Sequence, residues 1–96
     1  MRTENSLSIK AILSEMVREL RLGTKLNEAR IQEKWSQIVG NSIANHTEKI
    51  ELRQQTLVLY IASSSLKQEL LFSKEKIITL VNDALKEKCI KEILIY

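Results

Sequence analysis

The sequence predicts a small α+β fold in one domain spanning residues 1–96, with elements in the order α-α-β-β-α-β and helices on one face of a three-stranded sheet. Three observations carry that expectation. Apolar residues recur every three or four positions across residues 9–38 and again across residues 66–85, the period of a helix with one buried side. Between these stretches, and again at the C-terminus, the period falls to two, which is that of a strand. The chain has 96 residues, 44% apolar and 28% charged, enough for one core of modest depth and too few for a deep enclosed pocket.

The first helix is expected over Ser8–Arg21. Ile9, Ile12, Leu13, Met16, Val17 and Leu20 form its apolar stripe, Ser6 or Ser8 caps its start, and Gly23 stands where a left-handed residue ends a helix. A second helix is expected over Asn27–Val39, with Asn27 as N-cap and a hydrophobic staple from Leu26 to Ile31. Ile31, Trp35 and Ile38 form its buried line, so Trp35 reads as core, with a partner-facing anchor as the alternative. Gly40 ends this helix, and a short helical turn follows through Ser42, Ile43 and Ala44.

Strands are expected over Thr47–Arg53 and Thr56–Ala62. They join tightly through Gln54-Gln55, a poor pair for a two-residue turn, so a slightly longer or bulged loop is allowed for. The period of two places Ile50, Leu52, Leu57, Leu59, Ile61, Ile93 and Ile95 on the core face. It turns Lys49, Arg53, Val58, Tyr60, Leu94 and Tyr96 outward. Ser63-Ser64-Ser65 opens the next helix, with Ser65 and Gln68 at the spacing of a capping box. Leu66, Leu70, Ile77, Val81 and Leu85 are its core line. Phe72–Lys76 interrupts the rhythm, leaving either one kinked helix or two short ones. The last strand is expected over Lys91–Tyr96.

The net charge is +3. Up to Glu48 there are seven Lys/Arg and six Asp/Glu, and from Lys49 onward eight and six, so only folding can gather the excess into a patch. No apolar signal core and no membrane-length run is present, which reads as a cytoplasmic protein with no membrane partner. One histidine, His46, and one cysteine, Cys89, supply neither a disulfide nor a transition-metal site. Two glycines cannot build a phosphate-cradling loop. Glu15 with Glu19, and Glu48 with Glu51, read as solvated pairs. The sequence thus offers no catalytic residues, no metal and no cofactor, and no enzyme is expected.

The outward sheet face does offer a binding chemistry. Tyr60 and Tyr96 beside Lys49 and Arg53 would stack bases and follow phosphates, with Lys67, Lys74 and Lys76 as a basic rim. That reads as weak, sequence-tolerant binding of single-stranded nucleic acid, on this face or on the third helix. The competing reading is a solvated sheet kept soluble by its charges, with Glu51 repelling phosphate.

Trp35, Ile38-Val39-Gly40, Ile43-Ala44 and His46-Thr47 together resemble the opening motif of the DciA-like family. Leu57-Val58-Leu59-Tyr60-Ile61, Ser63-Ser64-Ser65, Gln68-Glu69-Leu70, Ile77-Ile78 and Val81-Asn82 continue the likeness over nearly the whole chain. Three features depart from the family pattern. Leu66 stands where a tryptophan is common, Gln54-Gln55 where the hairpin has a glycine, and Tyr96 ends the chain where many members continue into a tail. The resemblance implies a fold similar to a type II K-homology domain, with the second hairpin strand central and parallel to the last strand. No Gly-x-x-Gly loop of the kind such domains use on nucleic acid stands between Phe72 and Lys76. The resemblance further implies a non-enzymatic module that binds the bacterial replicative DNA helicase and helps place it on DNA. Gly40, His46 and Thr47 are then the expected partner-binding residues. A stand-alone single-stranded DNA- or RNA-binding protein is the alternative.

Overall fold

The computed structural model describes the backbone from Arg2 to Tyr96 and the side chains from Ser8 onward. The elements are α1 (Arg2–Val39), α2 (Asn41–Asn45), β1 (Thr47–Arg53), β2 (Thr56–Ile61), α3 (Ser64–Phe72), α4 (Lys74–Leu85) and β3 (Glu92–Ile95). The sheet order is β1-β2-β3, with β1 antiparallel and β3 parallel to β2. This is the expected α+β architecture, and it has the central parallel strand that the resemblance implies. Leu57, Val58 and Leu59 of β2 are all fully buried, as befits the central strand of the sheet. The core lies on one face of the sheet. Leu52, Leu57, Leu59, Ile61 and Ile93 there meet Ile31 and Trp35 of α1, Leu70 of α3, and Ile77, Val81 and Leu85 of α4.

The two helices expected over Ser8–Arg21 and Asn27–Val39 are one. α1 runs unbroken through Gly23, which does not cap anything. The stop signals there are weak in energy: a glycine inside a helix costs about 1 kcal/mol relative to alanine, and no proline is present to break the ladder. Neighbouring side chains also serve the continuous helix. The Thr24 hydroxyl donates back to the Leu20 carbonyl at 3.0 Å, and Asn27 accepts from Arg30 at 3.0 Å instead of capping. Leu26 is exposed and makes no staple. As a result the stripe from Ile9 to Leu20, expected in the core, is 44–71% exposed. It overhangs the body.

One cap differs from expectation, and three open details are settled. Ser63, not Ser65, caps α3, its Oγ accepting from the Leu66 amide at 3.2 Å. The third helical segment is two helices, parted at Ser73. The hairpin turn is the tight one through Gln54-Gln55: Arg53 pairs with Thr56, and Gln54 takes the positive φ of 56° that a glycine would take more easily. Val58, expected outward, does point to the outer face but is fully buried there by its neighbours.

The irregularity sits at the other end of the hairpin. Thr47 pairs with Ile61 and Lys49 with Tyr60, so Glu48 is an extra residue. In a regular strand Thr47 and Lys49, two positions apart, would share a face. With it Lys49 faces outward, while Thr47 turns to the core and accepts from Trp35 Nε1 at 3.0 Å.

Candidate functional site

The outer sheet face is a grid of three rows, fixed by the strand register. Lys49 lies beside Tyr60, Glu51 beside Val58 and Leu94, and Arg53 beside Thr56 and Glu92. Tyr96 extends the first row, because its backbone bonds to Leu59 and Ile61 on either side of Tyr60. The two tyrosine rings stack with centroids 5.5 Å apart and planes at 27°. On the other side of Tyr60, Lys49 Nζ lies 5.6 Å from the ring centre. The row is therefore cation, ring, ring, and its free aromatic surface belongs to Tyr96, which is 55% exposed.

Glu51 ties the face together. Its carboxylate lies 3.5 Å from both Lys49 Nζ and an Arg53 guanidinium nitrogen. The Tyr60 hydroxyl, with Lys49 and Arg53 adding to it against partial desolvation, holds the Glu51 carboxyl below its ordinary range. The same carboxylate is the main reason that the Tyr60 hydroxyl titrates above its ordinary value. Both cations are thus partly neutralised in place, although their side chains stay 64% and 65% exposed.

The three helix lysines do not join them equally. Lys74, at the start of α4, reaches the far corner of the grid, 4.0 Å from Glu92. Lys67 and Lys76 sit on α3 and α4, the helices that cover the opposite side of the sheet.

The residues expected to bind a partner form a second locus at the turn from α1 to β1. Gly40 adopts φ 92° and ψ 162°, a conformation that a side chain would strain, and so redirects the chain into α2. His46 is exposed, and its Nδ1 lies 2.9 Å from the Ser42 carbonyl. A carbonyl only accepts, so Nδ1 carries the proton and Nε2 is left to the solvent. Thr47 has no such freedom: its hydroxyl donates to the Ile43 carbonyl at 2.7 Å while accepting from Trp35. Trp35 itself is 3% exposed and lies in the core.

Two features were missed in the sequence. Asn82 fastens the loop between α4 and β3: its Oδ1 accepts from the Cys89 and Ile90 amides and its Nδ2 donates to the Ile90 carbonyl. An asparagine beside Val81 on an otherwise apolar line was the available signal. Glu28 and Gln32 of α1 bind the free edge of β1, Glu28 accepting from the Leu52 amide at 2.8 Å and Gln32 donating to the Ile50 carbonyl at 3.0 Å. No sequence pattern announces a contact between such distant positions.

Among the described residues no three of His, Cys, Asp and Glu gather as metal ligands. Cys89 is buried, and loss of solvent pushes its thiol above the ordinary value, away from the reactive thiolate. No described helix is long and apolar enough to cross a membrane.

No curated protein matches the chain. The family described as Dna[CI] antecedent, DciA, matches residues 8–95, which takes in the overhanging helix, the turn at Gly40 and all three strands. On that match the chain belongs to the DciA family.

Proposed function

We propose that the chain is a non-catalytic accessory protein of the bacterial replicative DNA helicase, acting in the cytoplasm to help place that helicase on DNA. The observation that carries this reading is the family match over residues 8–95, since the DciA family implies a role in replication related to helicase loading. The surface supports it in kind. His46 holds the Ser42 carbonyl through Nδ1, which leaves its outer nitrogen free among the described residues for contact with a partner. The helicase contact is assigned to α2 and the residues around it, with Gly40 setting the direction of the chain and His46 as the accessible polar group. The test is a pull-down of the full chain with the helicase of the same organism, with and without nuclease. Retention that survives nuclease and moderate salt is expected. Absence of binding at tens of micromolar with folded partners would overturn the reading.

A second reading, weak binding of single-stranded nucleic acid, has one specific observation in its favour, the stacked tyrosine pair with its flanking cation. In it a base stacks on Tyr96 while Lys49 and Arg53 meet phosphate. Glu51 sets the limit on affinity. With a labelled oligonucleotide at low salt, Tyr96→Ala is expected to weaken binding more than Tyr60→Ala. Glu51→Gln is expected to strengthen it and to steepen its salt dependence. Equal affinity of all three variants with the parent would remove the sheet face from consideration.

A further inference from the structure

The apolar side of α1 continues past the body. Leu13, Val17 and Leu20 stand about five turns before Ile31, Trp35 and Ile38 at 3.6 residues per turn, so both sets lie on one side of the helix. Ile31 and Trp35 are in the core and Ile38 packs against it, whereas Leu13, Val17 and Leu20 are 55%, 44% and 71% exposed. Ile9, Ile12 and Met16 complete the exposed stripe. The six side chains present roughly 500–600 Å² of apolar surface, at the upper end of the largest patch a monomer shows. That is most of what one partner gives to a standard interface, about 800 Å².

We propose that a second copy of this chain covers the stripe, the two overhanging helices lying antiparallel about a two-fold axis between Leu13 and Met16. The area argues for this occupant, since two such faces together clear the roughly 1,000 Å² that a specific contact needs, and two observations set its register and orientation. The first is that the stripe is complementary to its own reverse. When Leu13 is set opposite Met16 of the other copy, Ile12 falls opposite Val17 and Ile9 opposite Leu20. Every member meets another member, in alternating layers like those of paired helices.

The second observation is steric. The body begins at about Asn27 and lies on the same side of α1 as the stripe, since Glu28, Ile31, Gln32 and Trp35 all reach toward the sheet from that side. A parallel second helix would run into it. In the antiparallel register Ser8 of one copy comes level with Arg21 of the other, and the two bodies lie at opposite ends. The end of each helix then enters the open groove of about 1620 Å³ that Met16 and Leu20 share with Ile50, Arg53 and Gln54. Each copy gives and receives the same surface, as a two-fold contact requires.

The test is sedimentation equilibrium of the full chain from 1 to 100 micromolar. A mass twice that of the 11.1 kDa chain is expected at the upper end. Leu13→Asp and Met16→Asp are each expected to raise the dimer dissociation constant at least about a hundredfold, because each places two carboxylates near the axis. Both positions are exposed in the single copy, so an unchanged far-UV circular dichroism spectrum at low concentration confirms that the variants fold. Orientation is read separately, by mixing Leu13→Cys with Met16→Cys under mild oxidation. The mixed disulfide is expected to dominate over either homodimer. A parent that stays monomeric throughout, whether because α1 folds back at Gly23 or because another protein covers the stripe, overturns the proposal. So does a dimer untouched by Leu13→Asp, or one whose cysteines link like with like.

Discussion

The chemistry of single residues here is mostly that of polar atoms finding partners inside a small core. Trp35 brings an indole N–H into the core, and Thr47 is the one hydroxyl that receives it. Thr47→Val should therefore leave that donor unpaired and lower the unfolding free energy by about 1–3 kcal/mol, measured by urea denaturation. A parent-like midpoint would return Thr47 to the exposed partner surface. Asn82→Ala strands the Cys89 and Ile90 amides and is expected to cost about 2 kcal/mol in the same measurement. Glu51 and Tyr60 shift each other in opposite directions. The Glu51 contribution to stability is present above its ordinary pKa of 4.5 and fades as the pH falls through its lowered folded value. The Tyr60 contribution is present below 10.0 and fades as the pH rises through its raised one. An ultraviolet titration of phenolate should find the Tyr60 value moving back toward 10.0 in Glu51→Gln, since the carboxylate charge that opposed ionisation is gone. A Tyr60 value that stays put would show burial alone to be its cause.

At the scale of elements, the continuous α1 makes a sharp claim about Gly23. A β-carbon there would meet nothing within 4 Å, and the backbone is helical. Gly23→Ala is thus expected to stabilise the protein by about 0.5–1 kcal/mol. A left-handed cap at the same position would make that substitution destabilising, so the sign of the change in denaturation midpoint decides between one helix and two. The strands were readable because their signals are local: alternation over Ile50–Leu52 and Leu57–Ile61 needs only neighbours to be interpreted, and β1 has the bounds the pattern implies. The break at Ser73 was visible as a lapse in the apolar rhythm. What stayed hidden depends on what packs on what. Periodicity shows that Ile9–Leu20 is a helix face but not what covers it. Likewise the alternation that turned Tyr60 and Tyr96 outward said nothing of their stacking, which follows from strand order, or of Glu48, whose extra residue sends Thr47 to the core.

The whole molecule is long for its mass. Its Cα radius of gyration is 17.3 Å, against about 13 Å for a compact chain of this length. The excess lies along the 62 Å axis. An uncovered helical stretch of this length is marginal on propensity alone, so amide exchange should be slow around Ile31–Ile38 at every concentration. From Ile9 to Leu20 it should be fast in dilute solution and slower as the protein is concentrated. Uniform protection along α1 in dilute solution would mean that the overhang is covered within one copy. At the other side of the body, α1 has an influence out of proportion to the two side chains involved. Glu28 and Gln32 occupy the place a fourth strand would take beside β1. A sheet closed on that side cannot recruit a stranger's strand there. Any accidental polymer of this protein has to start instead at β3, where Glu92 already folds its carboxylate back onto the Ile93 amide and blunts the remaining edge.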